Sequence, residues 1–410
     1  MVAVRHYREA RVVAMAALAG IFTLTLVFYP KEALEAAREG MGIFGEIVLP
    51  SLFPFFVLSE VLLGLGVVHF MGVIFEPLMR PVFNVPGAGA FALSMGLAAG
   101  YPMDAVITGK FRQRGLCTQV EAERLLAFTN TADPLFIFGA VAVGMFGLPA
   151  LGPLLAAAHY LSSFTVGFIF RFHRRGERGP EIGAEEAGGG MLCRAVRALF
   201  RGRREDGRPL GQLLGEAVRE SVATLFMIGG FIVVFSVLVR ILTVVGMMDL
   251  LAPPAAGFLR LLGLSPALVP ALFRGLLEID LGTVAASRAA APLVQRAIMA
   301  SAVIAWSGLS VHGQVASVVH RTDIRMGPYV LARLCHAAFA GLYTFLLFPF
   351  FRLPVLSLPV QYCGVGLARR FVLSAWQLVL VYGGLAAATL LLHLGRRCRL
   401  VWIGGGRRFA

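Results

Sequence analysis

The sequence predicts an all-α, polytopic membrane protein with about eight transmembrane helices and two re-entrant hairpins. Of its 410 residues, 58% are hydrophobic and only 15% are charged, whereas about a quarter of the residues in a soluble domain are charged. The net charge of +14 is concentrated in arginines that flank the apolar segments, as orientation signals in membrane proteins are. No basic and aromatic stripe lies outside those segments, so we do not expect nucleic acid as a partner.

Eight apolar segments are long enough to cross a bilayer of ordinary thickness. They are residues 12–28, 43–66, 124–146, 149–170, 217–242, 293–319, 329–351 and 371–394. Residues 67–83 and 246–262 are shorter and are predicted to be amphipathic helices at the membrane interface. The basic N-terminus and the arginines after residue 394 predict that both termini are cytoplasmic.

Residues 87–111, GAGAFALSMGLAAGYPMDAVITGKF, are apolar but interrupted by Gly100-Tyr101-Pro102. Proline removes a backbone donor and glycine favours turns, so one straight helix is not expected here. Broken backbone is tolerated at membrane depth only beside protein or a water-filled cavity. The cations that follow, Lys110, Arg112 and Arg114, favour a re-entrant hairpin that returns to the cytoplasmic side. Residues 266–291 have the same character.

The two interrupted segments belong to halves that match at an offset of about 173–180 residues. EPLMRP from Glu76 aligns with DLLAPP from Asp249, and AFTNTADPLF from Ala127 aligns with AWSGLSVHGQ from Ala305. One half begins outside and the other inside, so the halves form an inverted repeat, which many secondary transporters build around a midplane site.

This organisation divides the chain into five parts. They are an N-terminal helix with an external loop (1–41), a first gate-like repeat (42–171), an arginine-rich cytoplasmic linker (172–212), a second repeat (213–351), and an external loop, last helix and basic tail (352–410). The linker is expected to be a solvated connector, flexible in its Gly/Glu-rich part.

Polar residues in the first repeat are candidates for ligand contact. Asp133 precedes Pro134, which kinks the helix and frees carbonyl groups. Asn130 and Thr131 (with Thr129) add short polar groups that can bind an ion or a carboxylate, or that can merely hold the neighbouring hairpin. Tyr101 and Asp104 lie at the turn of the first hairpin, where Asp104 can contact substrate, a coupling ion or only protein.

The second repeat supplies the remaining candidates. Arg274 and Glu278 are four residues apart, and in a helix this spacing favours an ion pair. A functional alternative makes Glu278 or Asp280 a proton or Na⁺ site and leaves Arg274 (or Arg288) to bind an anion bidentately. The other candidates are Thr283, Ser307, Ser310, His312 and Gln314. His312 can relay a proton or can simply pack between helices, and His159 and His336 are expected to be structural.

The sequence contains no motif typical of an enzyme or a metal site. HExxH, GxSxG and GxxxxGK[ST] are missing, and the five scattered cysteines (Cys117, Cys193, Cys335, Cys363, Cys398) show no CxxC or Cys/His spacing. We therefore predict no enzymatic activity, no metal and no cofactor apart from a coupling Na⁺ or H⁺.

Five blocks carry a resemblance to known proteins: LPSLFPFFVLSE, EPLMRPVFNVPGAGAF, GLAAGYPMDA, LLAFTNTADPLFIFGAVAVGMFG and LLEIDLG. Together they resemble the YlbJ/SpoVV family of sporulation integral membrane proteins and, more distantly, the gate domains of concentrative nucleoside transporters, over about residues 42–351. The resemblance implies a carrier-like fold and movement of dipicolinic acid across the outer forespore membrane. It also implies substrate contacts within residues 100–104, 130–133, 278–283 and 307–314.

The expected function is therefore a secondary transporter of a small anionic metabolite, dipicolinic acid by resemblance, that works by alternating access around the two hairpins. At the first hairpin, Tyr101–Asp104 stand where the nucleoside carriers have a glutamine–threonine pair, which argues against a nucleoside. A nucleoside permease and a non-transporting membrane scaffold in sporulation are the alternatives. The predicted partners are a small-molecule substrate and the lipid bilayer; a homo-oligomer or a sporulation membrane partner stays open.

Overall fold

A computed structural model describes residues 2–177, 179 and 190–351, which fold into helices and their connections. The helices are α1 Val2–Phe28, α2 Pro30–Ile43, α3 Leu49–Gly64, α4 Val67–Phe83, α5 Gly89–Ala99, α6 Met103–Gln113, α7 Gln119–Thr129, α8 Leu151–Phe170, α9 Met191–Asp206, α10 Leu210–Val244, α11 Met247–Leu261, α12 Val269–Leu277, α13 Ile279–Arg288, α14 Leu293–Trp306, α15 Gly308–Val319 and α16 Met326–Leu347. Phe44–Val48 and Leu135–Met145 are π-helical. The predicted all-α class is confirmed.

The predicted polytopic character is confirmed by the length and composition of several helices. Four segments are long and apolar enough to cross a membrane: Leu151–Phe170, Leu210–Val244, Leu293–Val319 and Met326–Phe350. Two bent pairs, α1 with α2 (101°) and α3 with α4 (82°), bring the number to six among the described residues if each pair is one span. The predicted last span (371–394), the external arginines 352, 369 and 370, the basic tail, Cys363 and Cys398 lie outside the described residues, so the total of about eight stays a prediction.

Both interrupted segments form helical hairpins. In the first hairpin, α5 and α6 pack against each other on either side of Gly100-Tyr101-Pro102, where Gly100 has a positive φ of +71°. In the second hairpin, α12 and α13 pack together around an extended residue, Glu278 (φ −149°, ψ 134°). The predicted breaks are therefore present, although the depth of the hairpins in a membrane stays a prediction.

The two halves have the same order of elements. Each begins with a long helix that breaks at a left-handed glycine, Gly66 after α3 and Gly246 after α10. A proline-containing helix, a hairpin, a broken helix and a closing helix then follow in both halves.

Contacts between the halves are reciprocal. α6 packs against α15 while α13 packs against Leu135–Met145, and α7 packs against α16 while α14 packs against α8. The closing helices α8 and α16 also pack against each other. A pseudo-twofold repeat produces such reciprocal contacts between its halves. The inverted orientation of the two halves in a membrane stays a prediction.

Two segments are more regular than the sequence indicated. Most of the expected external loop at 31–40 is helix α2, which packs along α10 so closely that a Cβ at Gly40 would lie 3.0 Å from the Ser236 Oγ. The arginine-rich end of the linker is helix α9, which packs against α4. Hydrophobic periodicity explains α9, because Ala195 and Ala198 are buried on one helix face. Most of the Gly/Glu-rich part of the linker lies outside the described residues.

Candidate functional site

The first hairpin is joined to the broken helix after it by a buried carboxylate. Asp104, in the first turn of α6, accepts hydrogen bonds from the Asn130 Nδ2 (2.8 Å) and the Thr129 Oγ1 (3.1 Å). All three side chains are fully buried. α7 ends at Thr129, and residues 130–133 are not helical. The break therefore presents its polar groups directly to the turn of the hairpin. This contact is the alternative in which these groups hold the neighbouring hairpin, and ligand contact by Asp104 and Asn130 stays a prediction.

Close backbone approach makes this junction possible. A Cβ at Gly96 would lie 2.5 Å from the Thr129 carbonyl oxygen, and a Cβ at Gly100 would lie 2.8 Å from the Asp133 Oδ2. The other Asp133 oxygen accepts a hydrogen bond from the Phe136 amide (2.9 Å) and so caps the π-helical segment. Asp133 thus has a local structural partner in addition to its place beside the first hairpin.

A single arginine of α16 holds the same break from the other side. Arg333 is completely buried, and its guanidinium donates to the main-chain carbonyl oxygens of Asn130 and Ala127. These carbonyls belong to the end of α7, where a helix leaves its last acceptors without intrahelical donors. Tyr329, one turn earlier, donates from its hydroxyl to the Asn130 Oδ1 (2.9 Å). Asn130 is therefore bonded simultaneously to α6 and α16.

Two histidines extend the network into α8. The Arg333 guanidinium has only donors, so the His336 Nδ1 at 2.9 Å accepts from it. The His336 Nε2 then carries the proton and donates to the His159 carbonyl oxygen (2.9 Å). The His159 Nε2 accepts from the Ala132 amide (3.0 Å). Both histidines hold the break in place, in line with the structural role expected for them.

The turn of the second hairpin is arranged differently from the prediction. Glu278 is not paired with Arg274, because the helix stops at Glu278 and the i, i+4 geometry is lost. Instead, its Oε2 accepts from the Leu281 amide (2.8 Å) and caps α13. The N-terminus of α13 at this tip is therefore capped by a carboxylate of the chain itself. Asp280 follows two residues later in the first turn of α13 and is partly buried.

The second broken helix approaches this turn through two left-handed residues, Ser307 (φ +68°) and Gly308 (φ +76°). A Cβ at Gly308 would lie 2.9 Å from the Glu278 Cα. The arrangement repeats the contact between Gly100 and Asp133 in the first half. Each hairpin turn thus lies in close backbone contact with the helix break of its own half. In the first half the close contact is made by Gly100 of the hairpin turn, and in the second half by Gly308 of the helix break.

An aromatic group lies between the two junctions. The His312 ring lies 4.2 Å from the Trp306 ring and 5.1 Å from the Tyr329 ring, centroid to centroid. The His312 Nδ1 is 2.8 Å from the Gly308 carbonyl oxygen, and its Nε2 is buried without a partner among the described residues. Tyr101, on the first hairpin, donates to the Ile304 carbonyl oxygen of α14 (2.8 Å). These contacts link the first hairpin, the second broken helix and α16.

The other predicted residues make local contacts. The Thr131 hydroxyl donates a long hydrogen bond to the Thr129 carbonyl oxygen (3.4 Å), and the Ser307 hydroxyl donates to the Trp306 carbonyl oxygen (2.6 Å). The Thr283 hydroxyl lies 2.9 Å from both the Ile279 and the Asp280 carbonyl oxygens. The Gln314 amide nitrogen lies 3.5 Å from the Ser310 hydroxyl. Arg274 is half-buried and has no side-chain partner among the described residues, while Arg288 is exposed.

Sequence reasoning missed Arg333 and Tyr329. The signal was present, because a lone arginine inside an apolar 22-residue helix is itself an indication of a polar site. Tyr329 lies four residues earlier on the same helix face. The helix was interpreted only as a closing span.

Two hairpins that meet two helix breaks around buried polar groups, together with helices long and apolar enough to cross a bilayer, characterise a polytopic membrane protein. Residues 46–149 match the Gate family, described as nucleoside recognition. The chain is 45% identical over 325 residues to the sporulation integral membrane protein YlbJ of Bacillus subtilis (strain 168), across 79% of this chain and 80% of that protein. The chain therefore belongs to the YlbJ family of sporulation integral membrane proteins. No solved structure matches it.

These similarities point to a transporter-like or structural role in a membrane rather than to an enzyme.

Proposed function

We propose that this protein is a secondary transporter of a small anionic metabolite, dipicolinic acid, and that it works by alternating access in the outer forespore membrane with both termini in the cytoplasm. The observation that carries the proposal is the bonding of Asn130 to both Asp104 of the first hairpin and Tyr329 of α16. A buried polar junction between a hairpin and a broken helix suits a site that must open and reclose.

Arg274 is the cation best suited to bind the substrate. Arg333 already donates to two carbonyl oxygens and a histidine, so it positions the break. Arg274 lies in the last turn of α12, next to the second hairpin turn, and has no side-chain partner among the described residues. A free guanidinium can hold a carboxylate through two parallel hydrogen bonds, and dipicolinate carries two carboxylates on a flat aromatic ring.

The aromatic group supports a flat substrate. Trp306, His312 and Tyr329 place three rings within 5.1 Å of a neighbour, and aromatic rings favour offset or edge contacts with another ring. The unpartnered Nε2 of His312 gives this group one polar atom that a ligand can satisfy.

The polar side chains bind one another in this structure, so it represents a closed arrangement. Asp104, Asn130 and Thr129 are completely buried. A substrate that uses these groups must replace the bonds between them, and this requires the first hairpin to move away from the break. We expect that separation to be the opening step.

A proton is the coupling ion that the second hairpin favours. Glu278 is buried and Asp280, two residues later, is partly buried. Two carboxyl groups that are close together and poorly hydrated favour a state in which one of them holds a proton. Release of that proton to one side and its uptake from the other would couple substrate movement to a gradient.

A nucleoside permease is the second candidate, and the match to the Gate family described as nucleoside recognition favours it. A non-transporting scaffold is the third candidate, since the name of the relative records only a sporulation membrane protein.

The deciding experiment measures uptake of labelled dipicolinate and labelled uridine into proteoliposomes. We expect dipicolinate uptake that Arg274→Ala lowers roughly tenfold, the effect of losing a charge-assisted hydrogen bond. Arg260→Ala, which removes an exposed arginine of α11, is the matched control and should leave uptake unchanged. Uridine uptake without dipicolinate uptake would favour the permease, and no flux of either would favour the scaffold.

A further inference from the structure

Helix α9 presents an apolar stripe that nothing in the described part of the chain covers. Ala195, Ala198 and Gly202 face α4, and a Cβ at Gly202 would lie 2.3 Å from the His69 Nδ1. The opposite flank carries Leu192, Val196 and Phe200 at four-residue spacing, with 65%, 40% and 59% of their surfaces exposed. Residues four apart lie above one another on a helix, so these three side chains form one continuous stripe.

Arginines border this stripe and line a cavity that is widely open at the surface. The cavity has a volume of about 410 Å³ and is lined by Arg197, Phe200, Arg203 and Arg204, without any carboxylate. These arginines also interact with neighbouring groups of the chain. Arg203 lies 3.6 Å from the Asp206 carboxylate, and the Arg204 Nε donates to the Phe200 carbonyl oxygen (3.3 Å). The cavity is therefore a cationic recess with one aromatic wall.

The stripe continues onto the candidate membrane span that follows. After a short connection, α10 begins at Leu210, and its exposed residues Leu210, Leu214 and Val218 repeat the four-residue spacing. Since α10 is long and apolar enough to cross a bilayer, the start of its lipid-facing stripe marks the level of the headgroups. A helix with apolar residues on one flank and arginines on the other suits that level.

We infer that α9 is a binding site for an anionic phospholipid. The phosphodiester occupies the recess between Arg197, Arg203 and Arg204, and the acyl chains cover Leu192, Val196 and Phe200. Guanidinium groups bind phosphate oxygens bidentately, and anionic lipids attract basic clusters at the membrane surface. An acidic protein segment would satisfy the arginines but would leave the apolar stripe in water, so the structure favours a lipid.

The test measures the thermal unfolding midpoint of the full chain in detergent while phosphatidylglycerol or phosphatidylcholine is added. We expect phosphatidylglycerol to raise the midpoint more than phosphatidylcholine. The double variant Arg197→Gln/Arg204→Gln should need about tenfold more phosphatidylglycerol for the same rise. Phe200→Ser, which removes the aromatic wall and keeps every charge, should also weaken the effect.

Arg171→Gln/Arg175→Gln is the charge-matched control, because these arginines stack on Phe168 and Phe172 at the end of α8. Equal loss in the control, an equal response to both lipids, or full competition by inorganic phosphate would overturn the inference. The inference would also be overturned if the Phe200→Ser variant responded to phosphatidylglycerol as the wild type does and a soluble acidic peptide raised the unfolding midpoint as well. The result does not depend on transport, so it stands or falls separately from the proposed function.

Discussion

Arg333 donates a hydrogen bond to the main-chain carbonyl oxygen of Asn130, a residue 203 positions earlier in the chain. The bond ties the closing helix of the second repeat to the helix break of the first repeat. Because Asn130 also binds Asp104, the orientation of the first hairpin depends on a residue of the other half. This relationship makes the two repeats one structural unit.

Replacement of Arg333 is expected to destabilise the protein strongly. Arg333→Met leaves the Asn130 and Ala127 carbonyl oxygens buried without donors, at about 1–3 kcal/mol for each. Arg333→Lys should recover only part of this loss, because an ammonium group lacks the fork that reaches two acceptors. Thermal unfolding in detergent measures the effect, with the exposed Arg288→Lys as control. A midpoint for Arg333→Met equal to that of the wild type would contradict this role.

Asp104→Asn should impair uptake more than folding. The amide keeps the shape of the carboxylate but removes its charge. Its NH₂ group is a donor and cannot accept the hydrogen bonds that Asn130 and Thr129 donate. The hairpin should therefore lose its preference for the closed position. We expect the initial uptake rate to fall about tenfold or more, with a smaller change in the unfolding midpoint. Asp249→Asn alters an exposed aspartate of α11 and is the control. Unchanged uptake in Asp104→Asn would show that the carboxylate is dispensable.

Gly100→Ala should disturb the contact between the first hairpin and the helix break. The backbone angles of Gly100 (φ +71°, ψ −161°) add strain of their own, because essentially only glycine adopts them. Gly100 and Gly115 both have φ +71°, but only Gly100 faces another group, because its Cβ would lie 2.8 Å from the Asp133 carboxylate. Gly115→Ala should therefore cost about 1 kcal/mol from strain alone, and Gly100→Ala should cost more and reduce uptake. Gly308→Ala and Gly263→Ala form a second pair of variants at positive φ. A Cβ at Gly308 would contact the Glu278 backbone, whereas a Cβ at Gly263 would have no neighbour within 4 Å, so Gly308→Ala should cost more. Equal losses within each pair would refute the importance of these contacts.

The ion pair between Arg112 and Asp323 should give a pH-dependent contribution to stability. Arg112 binds Asp323 bidentately (2.7 and 2.8 Å) outside the spans, and this hydrogen bonding lowers the pKa of Asp323 from its ordinary 3.8. Because the pKa of Asp323 is lower in the folded state than in the unfolded state, the ion pair stabilises the fold fully at pH values above 3.8, the ordinary pKa of an aspartate. This stabilisation is lost as the pH falls through the folded-state pKa. Because the pair is exposed, we expect at most about 1 kcal/mol.

Unfolding midpoints of wild type and Asp323→Asn, compared at pH 7 and at successively lower pH, measure this contribution. The difference should be largest at pH 7 and shrink below about pH 4, the ordinary range of an aspartate. A difference that grows as the pH falls would assign the contribution to another group. Arg325→Gln, which breaks the separate pair with Glu123, is a useful comparison.

The sequence predicted much of the fold because glycine, proline and charge mark its breaks. Gly100-Tyr101-Pro102 and Asp133-Pro134 lie where the helices stop. Residues 266–291 are also predicted to be interrupted, but no such marker gives the position of the break at Glu278. The expected ion pair between Arg274 and Glu278 requires helix across this position and does not form. Where the chain extends at Glu278, its side chain caps α13 and the Gly308 backbone lies against it.

Within the site, Asp104 and Asn130 could be predicted because both lie in conspicuous interruptions of apolar sequence. Arg333 could not be assigned a partner in the same way. Its acceptors are main-chain carbonyl oxygens, which carry no residue identity and so leave no trace in the sequence. The contact depends on how α16 packs against α7, a property of the whole fold.

The two arms of the second hairpin touch through bare backbone. A Cβ at Gly282 would lie only 2.3 Å from the Gly275 Cα, so no side chain separates the two arms at this level. Two helices in backbone contact have little room to slide past each other, so the proposed function predicts that this hairpin moves as one piece. If substrate is transported, changes in solvent accessibility should then appear on α12 and α13 together.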